Sequence, residues 1–299
     1  MRISEISGNL PDRRVPDRPP GPAVPRLVLG ERLRRLREAQ YISREEAGEA
    51  IKVSDVTIAQ LERGRSAVRE RDVTDLLSIY GLSDADEQAT LRALAVQSNA
   101  PGWWHAYHDI VPDWFHTYLG LEQAADVIRS YEVQFVPGLL QTPEYARAVI
   151  ELGHAGAPAA QLRRRTELRM LRQRILHGRR PPHLWAVIDE AALRRGVGGP
   201  ETMRGQLEHL IAACELPHVT VHVMPFSAGG HAAAGGPVTL LRLPERELPD
   251  VIYLEQLIGA SYPEQEDVEY YRHVIDRLVT DAAPARETRG ILLGMLDAL

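Results

Sequence analysis

Ile42-Ser43-Arg44-Glu45-Glu46-Ala47-Gly48-Glu49-Ala50-Ile51-Lys52-Val53-Ser54-Asp55-Val56-Thr57-Ile58-Ala59-Gln60-Leu61-Glu62-Arg63-Gly64 reads as two short helices joined by a tight turn. Ser43 is placed to cap the first helix, and Glu46 three residues on completes a capping box. Ala47, Ala50 and Ile51 fall at i, i+3 and i+4, the inward stripe of that helix. Ser54 is a second N-cap, and Ile58 and Leu61 form the buried side of the next helix. Gly64 ends it. Small Ala47 and Gly48 sit where two steeply crossing helices touch. This is the pattern of a DNA-binding helix-turn-helix, whose second helix enters the major groove.

Partner helices are legible on both sides. Leu29, Leu33 and Leu36 share one face, with Arg32, Arg34, Arg35 and Arg37 around them. Val73, Leu76, Leu77 and Tyr80 repeat at helical spacing up to Gly81, and Ser83 opens a fifth helix with Leu91, Leu94 and Ala95 facing in. Five helices with the helix-turn-helix second and third resemble the Cro/repressor-type (XRE) family. The resemblance covers residues 29 to 96 and is carried by Ser54…Ile58…Leu61-Glu62-Arg63-Gly64. One departure is Lys52, where the family often has glycine in the turn.

At 299 residues the chain is long enough for two domains. No run approaches 18 apolar residues and no signal peptide is visible, so a cytoplasmic protein is expected. The single cysteine, Cys214, excludes an intramolecular disulfide and any multi-cysteine metal site. The net charge of −6 is uneven. Residues 29 to 80 hold ten basic and ten acidic side chains, with arginines clustered at 32–37 and 63–71. A neutral domain predicts weak non-specific DNA binding and reliance on dimerisation.

The chain divides into a proline-rich arm (1–28), a helix-turn-helix domain (29–97), a linker (98–102) and a larger domain (103–299). The arm lacks periodicity and is expected to be disordered; Arg13, Arg14, Arg18 and Arg26 are its candidates for minor-groove contact. In the larger domain Leu121 to Tyr131 looks helical, Thr142-Pro143 starts a helix, and Gln161 to Leu176 is a long basic helix. Residues 185–188, 219–224, 238–243 and 251–254 read as strands, and 200–213 and 268–279 as helices. The fold class is therefore an all-α five-helix domain followed by an α+β domain.

Catalytic and phosphate-binding motifs are missing, so no enzyme, metal or cofactor is expected. His218 and His222 share a strand face but read as ordinary surface or core histidines. Asp189-Glu190 suits a helix N-terminus. The loop bounded by Gly229-Gly230 and Gly235-Gly236 is a flexible connection or a lid. Of the adjacent Trp103 and Trp104, one is expected to pack and the other to meet the neighbouring domain or a ligand. The eight arginines in 161–180 are set against the eight carboxylates in 245–269, an internal or inter-subunit charge match.

Gly102-Trp103-Trp104, Tyr118-Leu119-Gly120-Leu121-Glu122, Val136-Pro137-Gly138-Leu139-Leu140-Gln141-Thr142, Tyr145-Ala146, Arg169-Met170-Leu171-Arg172-Gln173, Asp189-Glu190-Ala191-Ala192-Leu193-Arg194, Gln206-Leu207 and Pro225-Phe226 together resemble one regulator family. It is the actinobacterial XRE-type regulators with a C-terminal domain of unknown function numbered 5753, of the WhiJ kind. The resemblance implies a transcription regulator, often encoded beside a small partner protein and linked to development or antibiotic production. Arginine supplies 34 of the 35 basic residues, which fits a GC-rich actinobacterial genome.

The sequence thus predicts a homodimeric, sequence-specific binder of a double-stranded DNA operator. Ser54, Asp55, Val56, Ala59 and Gln60 form the reading side: Gln60 pairs with an adenine edge, Asp55 accepts from cytosine, and Val56 meets a thymine methyl. Arg44, Thr57, Arg63 and Arg65 hold phosphates. Trp103, Trp104, Tyr118, Gly229 and Gly230 are the candidates for contact with a small protein partner or a small-molecule effector. The alternative is an antitoxin-like protein that sequesters a neighbouring-gene product and autoregulates.

Overall fold

The computed structural model describes residues 21–299. The helix-turn-helix domain is made of α1 (Ala23–Ala39), α2 (Arg44–Ile51), α3 (Asp55–Glu62), α4 (Glu70–Ile79) and α5 (Ala85–Ser98). Helix α1 begins at Ala23, so residues 23–28 are helical and not part of an irregular arm. Arg26 donates to the Ser98 carbonyl at 2.8 Å, which removes it from the minor-groove candidates. Arg13, Arg14 and Arg18 lie outside the described residues. The α2 capping box forms as the spacing requires, and Ser54 caps α3 by accepting from the Thr57 amide. Asp84, not Ser83, caps α5.

Leu29, Leu33, Ala47, Ile51, Ile58, Leu61, Val73, Leu76, Leu77, Tyr80, Leu91 and Ala95 form this domain's core. Ala50 is exposed and Gly48 is buried in its place, so the α2 stripe is rotated by about 50° from the sequence reading, at 3.6 residues per turn. A β-carbon on Gly48 would come within 2.6 Å of the Val53 carbonyl, which is why only glycine fits the tight α2–α3 turn. Lys52, the last helix-ending residue before that turn, takes a left-handed conformation (φ +59°, ψ +47°). Lysine does there what glycine usually does, at a steric cost.

The second domain is built on a six-stranded sheet in the order β3-β2-β1-β4-β5-β6. Its strands are β1 (Val127–Glu132), β2 (His183–Asp189), β3 (Val219–Met224), β4 (Val238–Arg242), β5 (Val251–Gln256) and β6 (Gly259–Ser261). The first three are parallel, and β4, β5 and β6 pair antiparallel in turn. Residues 121–131, read as one helix from sequence, divide between α6 (Asp113–Ala124) and β1. Tertiary pairing on both sides outweighs the weak helical spacing, because β1 is the central strand.

Helices α7 (Pro143–Gly153), α8 (Ala159–Arg172), α9 (Glu190–Arg194) and α10 (Pro200–Ala213) connect the parallel strands. Helix α8 stops at Arg172 and continues as a 3-10 turn, Gln173–His177, shorter than its sequence pattern suggests. One sheet face packs Ile128, Leu184, Ile188 and Tyr253 against Leu207, Leu210 and Leu292 of α10 and α12 (Ala285–Asp297). The other packs Tyr131, Val187, Leu240 and Ile252 against Val274, Ile275 and Leu278 of α11 (Gln265–Asp281). The free side of β3 is covered by chain: Ala283 donates to the Val223 carbonyl and Thr288 to the Val221 carbonyl. His222 is buried and bonds the Ala283 carbonyl, while His218 bonds that of Leu176, so both are structural.

Helix α1 belongs to both domains. Ala23 and Val24 at its start are part of the second domain's core with Tyr118 and Leu121, whereas Leu29 and Leu33 belong to the first. Among the described residues no helix is long and apolar enough to cross a membrane.

Candidate nucleic-acid interface

Helix α3 turns Ile58 and Leu61 inward and presents Ser54, Asp55, Val56 and Thr57 at its exposed N-terminal end. Val56 is an apolar side chain left 62% exposed. Ala59 and Gln60 are half-buried on the flank one turn later. The side that sequence assigned to base reading is therefore assembled as one surface. The Ser54 and Thr57 hydroxyls lie 3.0 Å apart and are shared with the helix cap.

The other end of α3 is fixed by charge. Glu62 is almost wholly buried and receives Arg37 Nε at 2.5 Å, Arg37 Nη2 at 3.1 Å and Arg44 Nε at 3.0 Å. Arg37 also donates to the Ile42 carbonyl, so one guanidinium joins α1, the α1–α2 loop and α3. The Glu62 bond holds the Arg37 pKa above its ordinary value. Arg44 is braced by this carboxylate while staying 41% exposed, a geometry that suits a phosphate contact.

Arg63 and Arg65 do not stand on an open face. Arg63 pairs with Glu264 at 3.1 Å. Arg65 donates to the Tyr262 carbonyl at 2.7 Å with its guanidinium 5.9 Å from that ring, and burial lowers its pKa. Arg65 is thus engaged by the second domain and not free to hold a phosphate, while Arg63 keeps partial exposure beside Glu264; both tie the end of α3 to the second domain. Gly64 between them has φ +65°, and any side chain there would collide with Leu27 of α1. Sequence reasoning assigned no DNA role to three further exposed basic side chains of this domain, of which Arg69 and Arg71 pair with Asp72 and Asp75 of their own helix. These are Lys52 in the preceding turn and Arg69 and Arg71 at the start of α4, the latter two 75% and 88% exposed.

The acidic segment 245–269 thus faces the helix-turn-helix domain. Glu247 lies 3.2 Å from Arg32 and 3.6 Å from Arg35, in addition to the Glu264 pair. The basic helix finds other partners: Arg164 pairs with Asp109, and Arg172 makes a two-pronged bond to buried Glu122 at 2.7 and 2.8 Å. The match between the two segments is limited to the field of Glu255 on Arg169 and Arg172.

Of the ligand candidates, Trp104 is buried against Gly21, Gly102 and Gly120 where α1 meets α6, so it is an inter-domain packing residue. Trp103 packs beside it edge-on, with ring centroids 5.9 Å apart. Tyr118 is buried in a stack with Tyr253 (4.1 Å) that leads on to Tyr262 (5.6 Å) and is not open to a ligand. Gly229 and Gly230 do line an open crevice, of about 370 Å³, with Tyr131, Val133 and His231. Asp189 caps α9 through the Ala191 amide, as its position before a helix suggested, and also accepts from Tyr131 in this crevice.

A family model described as a helix-turn-helix domain matches residues 28–95, and one described as a domain of unknown function (DUF5753) matches residues 115–294. No curated protein matches the chain, and no solved structure does.

Proposed function

Because the chain belongs to the family of the domain of unknown function DUF5753 and carries a helix-turn-helix domain ahead of it, we propose that it is a sequence-specific transcription regulator. It works in the cytoplasm by binding and not by catalysis. Two copies read a double-stranded operator, and a partner or small ligand on the second domain modulates DNA affinity. The observation that carries this reading is the division of labour along α3. Its N-terminal end is open for base contact, while its C-terminal end is held by Arg65 on Tyr262 of the second domain. A change in the second domain then has a short route to the reading surface.

The test is operator selection from random duplexes with the full chain, followed by Gln60→Ala. On the selected operator this variant should lose about 1–3 kcal/mol, concentrated at one base pair. Equal loss on operator and random DNA would remove Gln60 from base reading. Light scattering of the full chain should give a dimer.

A second reading, in which the main task is to hold a small neighbouring-gene protein, draws on one observation. Leu257 and Ile258, at the tip between β5 and β6, are fully exposed. Replacing both with serine should abolish capture of that protein if the tip is its docking point.

A further inference from the structure

We propose that the cleft between α7, α8 and the start of α6 binds a short-chain carboxylate, an anion with an apolar body of the size of propionate or butyrate. Arg165, Leu168, Arg169 and Arg172 line it at i, i+3, i+4 and i+7, so one face of α8 supplies all of its guanidinium groups. Ile110, Val111 and Phe115 from around the start of α6, with Ile150 of α7, give it apolar walls. The cavity measures about 80 Å³. At about 30 Å³ of liquid per water this is room for roughly three waters, which a small acid fills and a sugar or nucleotide exceeds.

The charge lining the cleft is unbalanced on the positive side. Arg172 is already paired, by the two-pronged bond to Glu122, and its guanidinium lies 5.2 Å from the Phe115 ring centroid. Arg169 and Arg165 have no such partner. Among the described residues Arg169 makes one hydrogen bond, to the neutral Gln141 Oε1 at 3.0 Å, and no ion pair. Arg165 makes neither, and its Nε is buried without a hydrogen-bond partner. Asp109, whose field reaches Arg165, is engaged by Arg164. Burial, and then the Arg172 charge, press the Arg169 pKa down to about 10, as expected of a guanidinium short of an anion. The carboxylates that act on Arg169 do so from beyond ion-pair distance: Glu255, Glu132 and Glu122. Of these Glu122 is taken by Arg172, and Glu132, pushed up to about 8, is mostly neutral at pH 7. Two guanidinium groups beside apolar walls thus lack a paired carboxylate, and a charge withdrawn from water is costly until it is paired. A carboxylate meets the planar guanidinium fork in parallel bonds, and a short alkyl tail covers Ile110, Val111 and Ile150. Phosphate matches the charge but not the walls, and an amine is repelled.

This inference rests on reading the second domain as the effector-binding half. The cleft also has a path to the first domain, since Ile110, Val111 and Leu168 pack in one cluster with Trp104, which is buried where α1 meets α6. The probes are acetate, propionate and butyrate, with butyramide as the neutral isostere and inorganic phosphate as an anion without an apolar body. They are titrated into the full chain at fixed ionic strength by calorimetry and ligand-observed NMR. Affinity should rise from acetate to butyrate, and butyrate should bind at least tenfold more tightly than butyramide or phosphate. Arg165→Gln and Arg169→Gln should each lose tenfold or more for butyrate. Arg164→Gln, on the same helix but paired with Asp109, should bind as the parent does. Arg165 makes no bond to the rest of the described chain, so its replacement should leave the melting temperature unchanged and keep the comparison valid even where Arg169→Gln fails to fold. The proposal is overturned if butyrate binds no more tightly than butyramide, if phosphate binds as tightly as butyrate, or if Arg165→Gln keeps the parent's affinity. Binding is measured without DNA, so butyrate that binds but leaves operator affinity unchanged would sink the modulation reading alone.

Discussion

Replacing Glu62 by glutamine should cost about 3–5 kcal/mol, the range for breaking a buried ion pair from one side. Glu62 accepts three guanidinium N–H bonds at 2.5, 3.1 and 3.0 Å. The amide keeps the shape but turns two of its own donors toward those guanidinium groups, and it leaves the Arg37 charge, 7% exposed, with only the more exposed Glu38 carboxylate at 3.6 Å. Arg44 contributes little to the loss, because its exposed side chain regains water. Against a total stability of about 5–15 kcal/mol this is a large fraction for the smaller domain. The four tryptophans, at 103, 104, 114 and 185, all lie outside the helix-turn-helix domain. In a urea titration, tryptophan fluorescence therefore follows the second domain and its junction with α1, and far-ultraviolet dichroism follows both domains. The Glu62→Gln variant should lower the midpoint of the helical signal more than that of the fluorescence. Arg37→Met with Glu62→Leu should recover most of the loss, since an apolar pair of similar volume leaves no stranded charge. A loss below about 1 kcal/mol for Glu62→Gln would show that the network is not what fixes α3.

Other outcomes can be checked with the same protein. Lys52→Gly should stabilise the chain by about 0.5–1 kcal/mol in the same urea titration, because glycine takes the left-handed turn without strain. Arg44→Ala should lower the salt slope of DNA binding by roughly one unit, whereas Arg65→Ala should leave it unchanged, since Arg65 is held by Tyr262. Burial, and then Glu255, push the Glu132 carboxyl up to about 8 from 4.5, so folding takes up a proton between those values. Stability is therefore lost as pH rises through that window, and the fall in melting temperature from pH 5.5 to 8.5 should be smaller in Glu132→Gln.

The helix-turn-helix was legible because its signals are local. Caps at Ser43 and Ser54, the stripe through Ile58 and Leu61, and Gly64 lie within four residues of what they act on. The error at Ala50 is local too: a helix of eight residues carries too few apolar positions to fix its rotation. In the second domain the strands with β-branched runs were readable, but β1 was not. Val127-Ile128-Arg129-Ser130-Tyr131-Glu132 becomes a strand through pairing with β2, more than fifty residues on, and with β4, more than a hundred on. The fates of Arg63, Arg65 and the acidic segment were hidden for the same reason. Nothing near Arg65 in the chain announces that the Tyr262 carbonyl, 197 residues away, will accept from it. The tryptophan pair gave the opposite difficulty, since an exposed-looking motif is consumed at a domain junction.

That junction bears on how a second domain can govern DNA reading at all. Helix α1 starts in one core and ends in the other, and the end of α3 is held from both sides, by Leu27 behind Gly64 and by Tyr262 under Arg65. Each surface ion pair across the junction is worth little alone. The continuous helix is different, because α1 cannot tilt without moving residues in both cores, and packed cores resist small displacements. In the proposed dimer the two reading helices must sit about 34 Å apart to meet successive major grooves. A tilt of about 5° at each junction, acting over a half-distance of about 17 Å, shifts a reading helix by about 1.5 Å. That is enough to spoil hydrogen bonds to base edges, whose useful distances span only about 0.5 Å. Residues 98–299 expressed alone would lack Ala23 and Val24, and with them the element that turns an event in the second domain into a displacement of α3.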